Sequence, residues 1–151
     1  MIKVYLCPFS GTPREIHNKA YSILNELISD KNTVIKKTDK GKPYLDPEEF
    51  HFSISHTNDL IVIATSPFNV GIDCERKDRK ISMGVGNRFL GGNCDITSWV
   101  HFEAFSKLHG EGISVGYEKM LSTPHVFREI EAFEHRICIC AYDDFEITII
   151  Q

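Results

Sequence analysis

Hydrophobic and polar residues alternate along most of this chain, and the period of the alternation changes from segment to segment. Ile2 to Leu6 is a short apolar run that reads as a strand. Thr12-Pro13-Arg14-Glu15 has the form of a capping box with proline at the first helical position. Ile16, Ala20, Ile23, Leu24, Leu27 and Ile28 then recur at helical spacing until Ser29 to Asn32 breaks the pattern. Val34 to Lys37 is a weak strand leading into Asp39-Lys40-Gly41-Lys42-Pro43, a turn by composition that sets two lysines close together. Phe50, Phe52 and Ile54 alternate with His51, Ser53 and Ser55, which predicts a strand with one core face and one polar face, ending at His56-Thr57-Asn58-Asp59. Leu60 to Ala64 is apolar throughout, as a central strand is, and Ser66-Pro67-Phe68-Asn69 is a turn. Val70, Ile72 and Cys74 then alternate with Gly71, Asp73 and Glu75. These three strands predict an antiparallel meander that would bring Ser55, His56, Asp73 and Glu75 into one sheet.

The second half is less regular. Lys77 to Asn93 carries charge and four glycines with little periodicity and reads as a loop; Gly84-x-Gly86 follows no strand and lacks the third glycine of a dinucleotide fingerprint. Ser98 can cap a helix from Trp99 to His109 that Gly110 terminates. Apolar side chains cover most of its circumference, leaving Glu103, Ser106 and Lys107 as a narrow polar stripe beside Trp99. Such a helix is buried. Its stripe is either a cleft wall or a Glu103–Lys107 ion pair worth about 0.2–0.5 kcal/mol. Val126 to Ile130, Ala132 to Tyr142 and Phe145 to Ile150 predict three strands, the last two joined as a hairpin at Asp143-Asp144. Cys138 and Cys140 read as small core residues.

At 151 residues the chain is one domain, and it needs no staples, since folding at this size buries about 68–70% of the unfolded surface. A net charge of −4 argues against broad binding to nucleic acid or a membrane surface, while leaving room for a local basic pocket around a phosphorylated small molecule. Five cysteines, at no disulfide-scaffold spacing and with no secretory apolar region after Met1, point to the reducing cytoplasm. No run approaches the roughly 18 apolar residues of a membrane span.

The candidate chemistry lies in the strand Val70–Glu75 and the Trp99 helix. Asp73 and Glu75 share a strand face, and two such carboxylates repel unless a cation or donor lies between them, so the pair is a candidate divalent-metal site. The plainer alternative is a solvated strand end running into the charged segment Glu75 to Lys80. His101-x-Glu103 does not make a zinc deaminase, because the cysteines stand as C-x-C rather than P-C-x-x-C. No nucleophile elbow is present.

Five fragments stand in a telling order: GKPYL at 41–45, FSISHT at 52–57, VGIDCE at 70–75, RFL at 88–90 and WVHFEAFSKLHGEG at 99–112. In this order they resemble the 4′-phosphopantetheinyl transferases of the Sfp type. The resemblance implies Mg²⁺-dependent transfer of the phosphopantetheine arm of coenzyme A to a serine of an apo acyl or peptidyl carrier protein, releasing 3′,5′-ADP. It also implies an α+β fold of two similar halves, each a small antiparallel sheet packed with a helix, here about 1–67 and a shortened 68–151. On the family pattern Asp73, Glu75 and Glu103 would hold Mg²⁺; the attacking serine must lose its proton, and Glu103, or a water it shares with the metal, is the acceptor expected from the chemistry. Lys107 would meet the phosphates, and Lys42, Ser55 and His56 would hold the 3′-phosphoadenosine end and neighbouring phosphate oxygens. The chain departs from the pattern in having Phe102 where a lysine is expected, a short segment between Phe89 and Trp99, and a short overall length. Those departures motivate an alternative, a homologue that binds coenzyme A or a carrier without transfer. A metal-dependent nuclease, suggested by Glu75-Arg76-Lys77, fits the acidic charge poorly. No motif assigns Arg14 or Lys19.

Overall fold

The computed structural model describes all 151 residues. Strand β1 (Ile2–Pro8) is followed by helix α1 (Pro13–Leu27), the hairpin β2 (Val34–Lys37) and β3 (Pro43–Asp46), and strands β4 (His51–His56), β5 (Leu60–Ser66) and β6 (Gly71–Arg76). Helices α2 (Met83–Phe89) and α3 (Ile96–His109), a 3₁₀ turn and α4 (Tyr117–Ser122) lead to β7 (Val126–Ala132), β8 (His135–Ala141) and β9 (Ile147–Ile150). The fold is α+β. No helix is long and apolar enough to cross a membrane.

Two main sheets form, ordered β4-β5-β1-β9 and β6-β8-β7, with β2-β3 as a separate ribbon. All pairings are antiparallel except β1 with β9. A core of Ile2, Val4, Leu60, Val62, Val70, Ile72, Ile137 and Ile139, all fully buried, joins the two sheets. Alternating strand positions supply it from both sheets. Helix α1 begins with the expected capping box: Thr12 accepts from the Glu15 amide and Glu15 from the Thr12 amide. Ile16 and Ala20 lie against Ile61 and Ile63 of β5. A second core under α3 gathers Trp99, Val100, Phe102, Phe105 and Leu108 with Cys138 and Cys140 of β8.

Four expectations are corrected. First, β4, β5 and β6 are not one meander. β6 pairs with β8 in the other sheet, and where a β4–β6 ladder would run, serine hydroxyls take the backbone donors instead. Ser53 Oγ accepts from the Ile72 amide at 3.1 Å and Ser55 Oγ from the Cys74 amide at 3.2 Å. The polar face of β4 is thus a buried seam between sheets. Second, the expected loop at 77–93 contains α2, capped by Ser82. Its glycines hid it, yet a Cβ on Gly86 would lie only 2.3 Å from the Asn93 carbonyl, so that glycine serves packing. Third, α3 starts three residues earlier than predicted, because Asp95 accepts from the Ser98 amide at 2.7 Å and is the cap. Fourth, the C-terminal hairpin joins β7 to β8, not β8 to β9. Its two-residue turn, Phe133-Glu134, has φ of 50° and 60°, a conformation that normally advertises itself as Asn-Gly. β9 instead crosses to pair with β1.

The contact that matters for the site is α3 on β6. A Cβ on Gly71 would lie 2.0 Å from the Ala104 carbonyl oxygen and 2.5 Å from the Leu108 amide nitrogen. Only glycine lets the helix backbone come this close. Gly71→Ala is expected to cost about 1–3 kcal/mol in chemical denaturation, as overpacking against backbone does. An unchanged midpoint would mean that helix and strand are not in such contact.

Candidate active site

β6 presents Asp73 and Glu75 on the face away from Ile72 and Cys74, both of which are buried in core. α3 crosses that face and, four residues apart, brings Glu103 and Lys107 over it. Ser55, His56, Asp73, Glu75, Arg79, Trp99, Glu103 and Lys107 line one open pocket of about 480 Å³. A second pocket of about 270 Å³ is lined by Tyr21, Lys40, Lys42, Pro43, Phe52 and Ser106 among others. Ile54 and Lys107 belong to both, so the two form one groove between β4 and α3, carboxylates at one end and lysines at the other.

The acidic end is tightly wired. Asp73 Oδ1 accepts from Ser55 Oγ at 2.9 Å and from Lys107 Nζ at 2.8 Å, while Asp73 Oδ2 is buried without a partner. Glu75 Oε1 accepts from the Trp99 indole at 3.2 Å and pairs with Arg79. Burial, then the charge of Asp73 and of Glu75, pushes the pKa of Glu103 up to about 7, against the opposing pull of Lys107 and Arg79. For Lys107 burial works downward, but the charge and hydrogen bond of Asp73, together with Glu103, outweigh it and leave the pKa raised. Lys107 is therefore an ammonium at neutral pH, and Glu103 is poised to exchange a proton.

The donor set suits a hard divalent cation. It consists of carboxylate oxygens alone, and the orphaned Asp73 Oδ2 is a buried acceptor of the kind a cation would satisfy. As placed, Asp73 is engaged by Lys107 and Glu75 by Arg79, and the three carboxylates do not converge as a ready-made cluster of ligands.

The lysine end is organised around Lys42. Its ammonium donates to the Leu108 carbonyl at 3.0 Å and to Asn69, whose own amide donates to the same carbonyl at 2.8 Å. A cation at the C-terminal end of α3 is well placed against the helix dipole. Burial nevertheless lowers the Lys42 pKa to about 8. Ser55 and Ser106 spend their hydroxyls within the protein, Ser106 on the Phe102 carbonyl at 2.7 Å, and His56 is exposed on the rim. Arg14 and Lys19 line neither pocket.

No family model matches the chain. Two named proteins are similar to it. The 4′-phosphopantetheinyl transferase gsp of Aneurinibacillus migulanus is 27% identical over 156 residues, covering 83% of this chain and 65% of the relative. The 4′-phosphopantetheinyl transferase psf-1 of Bacillus pumilus is 31% identical over 119 residues, covering 68% and 48%. The chain belongs to the 4′-phosphopantetheinyl transferase superfamily. It spans less than two thirds of either relative's length.

In terms of the superfamily motifs quoted above, VGIDCE is β6 and the helix motif is α3. Phe102, standing where the motif has lysine, is fully buried against Trp99 and Tyr117, with ring centroids 6.5 Å and 6.2 Å away. It does not line the groove. Residues of the groove that the motifs do not announce are Tyr21, Lys40 and Arg79; the charged run 75–80 held the only signal for Arg79.

The Lys42 environment makes a prediction about stability. The folded state releases the proton near pH 8 and an unfolded lysine near its ordinary 10.5, so the unfolded chain binds more protons between those values and stability rises with pH there. Compared with Lys42→Met in urea denaturation, wild type should gain about 1–3 kcal/mol between pH 8 and 10.5. A constant difference across that window would contradict the burial of the ammonium.

Proposed function

We propose that the protein transfers the 4′-phosphopantetheine arm of coenzyme A to a serine of an acyl or peptidyl carrier protein, in the manner of a holo-carrier-protein synthase. The observation that carries this reading is the groove itself. Asp73, Glu75 and Glu103 line one end together with Lys107, and Lys40 and Lys42 line the other with Tyr21, Pro43 and Phe52. A ligand with an anionic, aromatic head and a diphosphate in its middle fits that sequence of surfaces.

On this reading the 3′-phosphoadenosine end lies against Lys42 and the diphosphate passes Lys107; Ser55 and His56 line the carboxylate end, where His56 is open to phosphate oxygens and Ser55 holds Asp73. Asp73, Glu75 and Glu103 would hold Mg²⁺, which when bound neutralises charge on the diphosphate oxygens. Lys107 places a fixed ammonium where the leaving phosphate gathers charge, in a site partly screened from water, where such charges act most strongly. The carrier brings the nucleophile, which accounts for a chain with no nucleophile motif of its own. The serine oxygen bonds to the phosphorus of the pantetheine phosphate as the bridging P–O bond breaks. The serine proton passes to a Glu103 oxygen, and 3′,5′-ADP leaves with the electron pair. A carboxylate within reach of the serine hydroxyl suits that proton transfer, and Glu103, kept ionised by a bound dication, would be able to receive the proton. A second reading, binding of coenzyme A or carrier without transfer, is motivated by Phe102, which stands where the motif has lysine and is buried off the groove, so that Lys107 is the one cation α3 gives the site.

The protein incubated with apo carrier proteins, coenzyme A and Mg²⁺ should yield the pantetheine adduct by mass spectrometry. Glu103→Gln should lower its rate by about 10²–10⁴-fold, the range for loss of a general base, while the fold is kept. Mg²⁺-dependent coenzyme A binding with no adduct on any carrier would select the second reading instead.

A further inference from the structure

The groove contains one strong cation that no motif assigns, Arg79. It lies just beyond β6 in a turn closed by the bond from the Arg79 amide to the Arg76 carbonyl at 3.1 Å. Arg76 itself is tied to Asp78 and to Asp59, while the Arg79 side chain is 46% exposed. The guanidinium pairs with Glu75 and lies over the Trp99 ring, 5.6 Å from its centroid, and the residue lines the carboxylate pocket. Only Glu75 holds it in place by charge, and Glu75 is a carboxylate that a divalent cation would claim.

We propose that Arg79 is a phosphate-binding residue of this site, stored on Glu75 and the Trp99 ring until a divalent cation displaces it from the carboxylate and the diphosphate of the substrate receives it. This rests on the coenzyme A reading above. Three observations support it. The stored position pairs Arg79 with Glu75 inside the pocket that Lys107 also lines. The Trp99 ring face is a platform that remains when Glu75 is withdrawn, and arginine stacks on such a face while its planar fork makes paired bonds to phosphate oxygens. Phe102, buried in the core, leaves the α3 wall with Lys107 alone, and Lys107 is already bonded to Asp73. Arg79 supplies from the strand side the positive charge that the helix does not.

Trp99 is the one tryptophan of the chain and touches both Arg79 and Glu75, so its emission reports on both. Three proteins are compared, wild type, Arg79→Gln and Arg79→Lys, each first shown to melt at the same temperature. Mg²⁺ alone, followed by Trp99 emission, should bind Arg79→Gln about 5–10-fold more tightly than wild type, because the internal competitor is gone. Coenzyme A in saturating Mg²⁺, followed by calorimetry, should bind Arg79→Gln about tenfold or more weakly, with Arg79→Lys in between, since lysine keeps the charge and loses the fork. Equal coenzyme A affinity in wild type and Arg79→Gln would overturn the role of Arg79 while leaving the coenzyme A reading intact. Equal Mg²⁺ affinity would overturn the storage on Glu75. Absence of coenzyme A binding by wild type would remove both the reading and this inference.

Discussion

The site depends on how closely one helix approaches one strand. Gly71 has no side chain, and the Ala104 carbonyl and Leu108 amide occupy the space where one would be. That approach fixes the height of α3 above β6, and with it the distance at which Glu103 and Lys107 meet Asp73 and Glu75. The apolar circumference of α3 is satisfied by β8 and by α2 and α4 behind it, so its one polar stripe is left for the groove. Packing and chemistry are therefore set by the same contact.

Electrostatics follow from that geometry. Three carboxylates and two cations share a partly desolvated pocket, and the arrangement is balanced without being saturated: Asp73 retains an oxygen with no partner. Ser55 contributes by bridging the two sheets and holding Asp73 in the same stroke. A hydroxyl so placed orients a carboxylate and closes a seam in the fold, and either task alone would keep it buried.

Much of this was legible in the sequence. The period of two in Val70–Glu75 put Asp73 and Glu75 on one face and Cys74 in the core, and the 100° spacing on the Trp99 helix picked out Glu103, Ser106 and Lys107 as a stripe. What could not be read was where one element meets another. The β4 strand alternates as a solvated strand would, although its serines face β6 in a buried seam. The Phe133-Glu134 turn carries no glycine or asparagine to mark it, and Asp143-Asp144 offers the stronger turn composition. Helix α2 is masked by two glycines, of which packing requires Gly86. Arg79 was one charge in a charged run, and only its placement over Trp99 distinguishes it from its neighbours.

A crystal structure with coenzyme A and Mg²⁺ tests the central claim most directly. The account predicts a cation among Asp73, Glu75 and Glu103, the diphosphate beside Lys107, and the adenosine end at Lys42. Coenzyme A bound outside the β4–α3 groove, or bound within it with all three carboxylates free of the cation, would contradict the account.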